Sequence, residues 1–370
     1  MKSTIKTVMT GTLGLLLLAG TAGASKSKQP RRSSVEVVFV LDTTGSMGGL
    51  LESAKQKVWS IANEIAKGKP APKIRMGLIA YRDKGDKYVT KVFDLTTNLD
   101  KMYEELLGLK ADGGGDGPEH VLKGIEDAVE RISWSADKKT FKVVYVVGDA
   151  PAHLDYQDSP QLQDLTQRAV RKGLILNTVQ CGSDRQTAEQ WQRIARLGEG
   201  KFLAIAHNGG VVAVATPFDG ELTRLSSRLD GTMLGYGRRK HEAEASRGLA
   251  RKVASLAPAA AAADRASFKA ARGFAAEMDL AAAVEEGAVD LEALKQDALP
   301  DELKKLTPKE RRAEIAKING ERAKLRGRIK ELSVQRARYI KEKGAESKDS
   351  FDAKLMESLK AQATLKGIRY

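Results

Sequence analysis

Strand-like and helical segments alternate from Val35 to about Leu229, which predicts an α/β fold: a mostly parallel sheet with helices on both faces. One pair of strand-like runs is joined by only a short polar link, so one edge strand should be antiparallel. Past Thr232 the strand pattern stops and alanine-rich, then basic, helical sequence takes over.

Six runs rich in β-branched and aromatic residues read as strands: Val35–Leu41, Lys73–Tyr81, Tyr88–Leu95, Phe141–Gly148, Leu174–Cys181 and Lys201–Ala206. Helical periodicity fills most of the gaps, at Leu50–Lys67, Leu99–Leu109, Pro118–Ser133, Ser159–Lys172 and Thr187–Leu197. The exception is the polar link Arg82–Lys87, which is hairpin chemistry. The other connections call for right-handed crossovers. In such a sheet ligands bind beyond the carboxyl ends of the strands, near the switch in strand order. Asp42 and Asp149 both stand at such ends.

The segment Arg238–Ala298 carries few large apolar groups and reads as helix with little core of its own. Thr307-Pro308-Lys309-Glu310 is a helix start: a capping threonine, proline in the first turn and glutamate three residues on. Ile315, Ile318, Leu325, Ile329, Leu332 and Tyr339 follow at three- and four-residue steps, with Arg322 and Arg336 interrupting the seam. That spacing suits a short coiled coil or helical hairpin, or one amphipathic helix docked on the α/β body.

The chain opens on Lys2 and Lys6, the apolar run Leu13–Ala19 and Ala22-Gly23-Ala24, the pattern of an export signal cleaved after Ala24. No cysteine lies near that cut and no later apolar run is long enough for a membrane helix. The expectation is a secreted or periplasmic protein without a transmembrane segment in its mature chain. Its parts would be a signal at 1–24, a linker at 25–34, an α/β domain at 35–230, an alanine-rich helical region at 231–300 and a basic tail at 301–370. Cys181 is the only cysteine, so no intramolecular disulfide can form, and it reads as a small buried hydrophobe.

The loop Asp42-Thr43-Thr44-Gly45-Ser46 places a carboxylate and two hydroxyls between a buried strand and a helix. These are hard oxygen ligands suited to a small divalent cation. Downstream come the glycine-rich acidic loop Asp112–Glu119 and the strand-terminal Asp149. In this order the three pieces resemble the metal-ion-dependent adhesion site (MIDAS) of von Willebrand factor type A (VWA) domains, in the hemicentin-like variant. The resemblance covers about Val35 to Leu229 and implies a Rossmann-like sheet. It also implies a cation held by Asp42, Thr44, Ser46, Asp116 and Asp149, with Asp112, Glu119 and His153 as supporting groups. Mg²⁺ is the first choice, with Mn²⁺ or Ca²⁺ as alternatives. The departure is Asp116, where many members carry threonine; an aspartate there would hold the cation more tightly and leave it less in need of an acidic ligand.

A first shell poor in charge would recruit a carboxylate from a partner, so the resemblance implies a non-enzymatic adhesion or scaffold protein. Its ligand would be a protein or an acidic envelope component. A second reading starts from the formal net charge of +14. It is an anionic-polymer contact, or self-association, through the tail, using Arg311, Arg312, Lys317, Arg322, Lys324, Arg326, Arg328 and Lys330. A third, metal-dependent hydrolysis at Ser46, has only the strand-to-helix turn behind it, without the glycine that a nucleophile elbow places two residues earlier. No phosphate loop or dinucleotide fingerprint is present.

Overall fold

The computed structural model describes residues 33–115, 117–211, 214–343 and 348–370. The expected export signal at 1–24, nearly all of the linker at 25–34, and Asp116 lie outside the described residues. The β-branched runs form six strands: β1 (Ser34–Asp42), β2 (Lys73–Tyr81), β3 (Thr90–Thr96), β4 (Phe141–Gly148), β5 (Leu174–Cys181) and β6 (Phe202–Ile205). They line up as β3-β2-β1-β4-β5-β6. All neighbours pair in parallel except β2 and β3, the hairpin that the short link required. The chain grows outward from β1 in both directions, so the switch in strand order falls between β1 and β4.

Alternation along β1 divides the core in two. Val35, Val37, Phe39 and Leu41 face one layer, and Val38 and Val40 the other. The second layer is α3 (Val121–Glu130), α4 (Leu162–Arg171) and α5 (Arg185–Leu197). The first holds α1 (Gly48–Ala66) and α2 (Leu99–Gly108), together with α12 (Phe351–Thr364) from the end of the chain. Helix α3 starts three residues later than its sequence pattern because Glu119 is drawn into extended bonding with the loop after β4. Its N–H donates to Pro151 O at 2.9 Å and its carbonyl accepts from His153 N at 3.0 Å.

The helical region is built on the sheet domain. Helices α6 (Asp219–Gly231), α7 (Lys240–Leu256), α8 (Ala259–Arg272), α9 (Leu280–Glu285), α10 (Asp301–Lys304) and α11 (Pro308–Glu342) precede α12. The start of α11 is the expected capping box between Thr307 and Glu310. Its seam does not pair with another long helix. Leu325, Ile329 and Leu332 pack on Leu222 and Leu229 of α6 and on Ala263 and Ala266 of α8. Ile315 packs with Leu280, Leu299 and Leu303. The docked amphipathic helix is thus the arrangement found, and residues 32–370 form one compact unit.

The basic residues of α11 need a correction. Arg322 is no surface contact: it is 2% exposed, with a bidentate pair to Asp279 at 2.7 Å to each oxygen. Removed from water, it makes sense only with that carboxylate and the Thr232 carbonyl satisfying its donors. Arg312 pairs with Glu292, Lys317 with Glu314, and Arg328 with Glu221 and Glu331. Arg311 is turned onto the Leu303 carbonyl, and Arg326 is half-buried, whereas Lys324 and Lys330 are exposed. No helix among the described residues is long and apolar enough to cross a membrane.

Candidate metal centre

Strand β1 delivers Asp42 to the carboxyl edge of the sheet with none of its surface exposed. The next two side chains point to different work. Thr43 donates its hydroxyl to Tyr81 O at 2.9 Å and meets the Tyr88 hydroxyl at 2.7 Å, which ties the loop to β2. Thr44 turns back and donates both its N–H, at 2.9 Å, and its hydroxyl, at 2.7 Å, to Asp42 Oδ1. With its hydrogen spent on Asp42, the Thr44 hydroxyl keeps its lone pairs for another group. Ser46 follows in the single 3-10 turn Gly45–Met47 that leads into α1, and is exposed.

Asp42 Oδ2 is buried, and the Tyr81 side chain gives the carboxyl a further hydrogen bond. Glu119, 4% exposed, lies near enough for the Asp42 charge to act on it, and its Oε2 is buried with no hydrogen-bond partner. Burial, reinforced by the Asp149 charge and opposed by the two Thr44 bonds and the Tyr81 bond, pushes the Asp42 carboxyl up to about 7. Burial, then the charges of Asp42, Asp83, Asp86 and Asp149, pushes Glu119 up to about 9. Asp149 leaves β4 with its side chain 11% exposed, 3.7 Å from Nε2 of His207. The bare Gly148 before it lets the sheet edge close up. A Cβ there would stand 2.5 Å from the Tyr81 hydroxyl and 3.1 Å from Asp42 Cβ.

The glycine-rich loop docks directly on the first loop. Asp112 N donates to Thr43 O and Gly45 N to Gly113 O, each at 3.1 Å. A Cβ at Gly114 would lie 3.2 Å from both Thr44 Cβ and Glu119 Oε1. Asp42, Thr44, Ser46, Asp149 and Glu119 therefore all stand in the linked loops at the carboxyl edge of the sheet. Asp112 and His153 are engaged elsewhere. Asp112 points outward, 3.6 Å from the Arg82 guanidinium. His153 stacks on Tyr156 at 4.1 Å and bonds Asp155 through Nδ1 at 2.8 Å.

The donor set fits a hard dication in a specific way. Among the described residues no three His, Cys, Asp or Glu side chains gather closely enough to hold a metal by themselves. A cation here would have to draw on the Thr44 and Ser46 hydroxyls as well as on Asp42 and Asp149. Burial and neighbouring carboxylates hold the Asp42 and Glu119 carboxyls above their ordinary range, a shift that positive charge at this edge would reverse. The sequence pattern alone does not assign Tyr81 or Asp86 to this edge. Asp86 sat in plain view within Arg82–Lys87, but that stretch was read only as a hairpin link.

Residues 36–216 match the family model of the von Willebrand factor A domain. The von Willebrand factor A domain-containing protein 7 of Rattus norvegicus is 36% identical over 110 residues, which are 30% of this chain and 12% of that protein. The chain spans only 11% to 19% of the lengths of the first three curated relatives it matches. Among solved structures, the SpRpn10 VWA domain is 16% identical with a TM-score of 0.36, covering 47% of this chain and 88% of that one. Proximal thread matrix protein 1 from the mussel byssus, solved with a zinc-occupied MIDAS motif, is 14% identical with a TM-score of 0.37. That alignment covers 47% of this chain and 42% of the mussel protein. The chain is a VWA-domain protein, its VWA domain lying at residues 36–216.

Proposed function

We propose that this protein is an exported, non-enzymatic binding protein that holds a divalent cation, Mg²⁺ before Mn²⁺ or Ca²⁺, at the carboxyl edge of its sheet. Adhesion and protein interaction are the general business of VWA domains. The finer reading is that Thr44 and Ser46 offer neutral oxygens while Asp42 and Asp149 supply charge. The cation would act as a Lewis acid that accepts an oxygen from a partner. A protein carboxylate or an acidic envelope component has the right chemistry.

The observation that carries this reading is the fully buried Asp42 carboxyl, whose neighbours are the Thr44 and Tyr81 hydroxyls and the Asp149 carboxylate in place of a basic side chain. A non-enzymatic role is supported by the surroundings of Ser46. The nearest imidazole, His207, donates through Nε2 to the Ser46 carbonyl at 3.0 Å, an arrangement that leaves that nitrogen unable to serve as a base toward the hydroxyl.

Calorimetric titration of the full chain with Mg²⁺ or Mn²⁺ tests the proposal. Wild type should give a saturable heat that Asp42→Ala abolishes. Equal heats for both proteins, or none for either, would sink it.

A further inference from the structure

The peptide unit joining Gly113 to Gly114 is held at both ends. Its carbonyl accepts the Gly45 N–H at 3.1 Å, between the two hydroxyl-bearing residues Thr44 and Ser46. Its own N–H donates to the Asp86 carboxylate, 3.2 Å from Oδ1 and 3.1 Å from Oδ2. Both glycines have left-handed backbone, φ +79° and +80°, which side chains resist. There is also no room for one: a Cβ at Gly113 would stand 2.1 Å from Asp86 Oδ1.

Asp86 is itself fixed. Its carboxylate accepts the Asp83 N–H at 3.2 Å and its N–H reaches the Asp83 carbonyl at 3.4 Å, a local turn that aims the side chain. Next to it, Arg82 donates to the Lys110 carbonyl at 2.8 Å, where the chain enters the glycine-rich loop. Turning the Gly113–Gly114 peptide over would break both of its bonds at once.

We propose that Asp86 is a positioning residue of the cation site. It acts through the Gly113–Gly114 peptide, whose fixed orientation locks Gly45 and thereby sets the Thr44 and Ser46 hydroxyls. The proposal rests on the cation-binding reading above, but half of it can be measured without a cation.

The test compares full-length wild type, Asp86→Ala and Asp86→Asn. The first readout is amide hydrogen exchange in metal-free protein at 43–47 and 111–115, and the second is calorimetric Mg²⁺ titration. Asp86→Ala should speed exchange at Gly45 and Gly114 and weaken Mg²⁺, each by about tenfold or more. Asp86→Asn keeps an accepting carbonyl and should bring both back to within about threefold of wild type. Thermal midpoints that stay close to wild type would separate this from a general loss of structure. Unchanged exchange in Asp86→Ala overturns the proposal, and so does equal damage in both variants, which would assign the effect to charge alone. The expected exchange pattern in a protein that gives no Mg²⁺ heat would overturn cation binding and leave the loop lock standing.

Discussion

Buried acids in this molecule come in two kinds, separated by what the chain places beside them. Asp100 of α2 is 1% exposed and meets the Arg265 guanidinium through two bonds, at 2.6 and 2.8 Å, with Lys269 at 3.2 Å. Burial alone would raise its carboxyl, but Lys269 and Arg265 outweigh burial and hold it down at about 2. Asp42 has the burial without the cation, and moves the opposite way. The contrast gives a pH prediction. Because the folded carboxyl of Asp100 ionises below its unfolded counterpart, its contribution is complete above roughly pH 4 and is lost as pH falls toward about 2. Urea unfolding of wild type across that window should show the loss. Asp100→Asn should be less stable at neutral pH by on the order of 2 kcal/mol and show a shallower acid slope. Identical slopes would contradict the pairing. At this scale Asp42 and Asp149 were legible because strand ends are readable from β-branched runs. The Asp100–Arg265 pair joins residues 165 apart, and no local pattern announces it.

The strands were the most legible elements. Fully buried parallel strands must be apolar on both faces, and β4 and β5 begin and end where their apolar runs do. Helices that meet the site were less so, as the late start of α3 shows. The alanine-rich segment was legible as helix, but its role was hidden. Ala261, Ala262, Ala263 and Ala266 are buried because α8 lies close against neighbouring helices, a use of small side chains that sequence cannot tell from low complexity. Helix α12 hid best of all, since nothing local says that a segment so far from β6 returns to cover the sheet. Its Phe351 tilts against Phe39 at 6.4 Å, its Ser358 meets the Tyr145 hydroxyl at 2.8 Å, and its Gln362 exchanges bonds with Asn177 at 2.8 and 3.0 Å. Leu359→Ala, in this buried face, should lower stability by about 2–5 kcal/mol. Leu365→Ala, where the side chain is 80% exposed, should change it by less than about 0.5 kcal/mol. Equal effects in denaturant unfolding would place α12 off the sheet.

Across the whole molecule, the helices that follow the VWA domain close over it rather than trail from it. Three buried arginines fix them: Arg265 reaches Asp100 of the domain as well as Asp230, while Arg322 with Asp279 and Arg336 with Asp219 and Asp264 tie the helices to one another. Each would be costly if stripped of its acid, so the helices are pinned at defined points. Much of the tail's positive charge is spent in this way or on surface pairs, which weakens the case for a polyanion surface. At the carboxyl edge of the sheet the balance is reversed: Asp42, Glu119 and Asp149 come from three loops, and the proposed cation would supply the compensating charge. The most direct measurement is a crystal structure of the full chain soaked in Mn²⁺, read by anomalous scattering. The account predicts one strong peak at the end of β1, with the oxygens of Thr44 and Ser46 as neighbours and the carboxylates of Asp42 and Asp149 around it. A peak elsewhere on the surface, or a sheet edge that stays empty in saturating Mn²⁺, would contradict it.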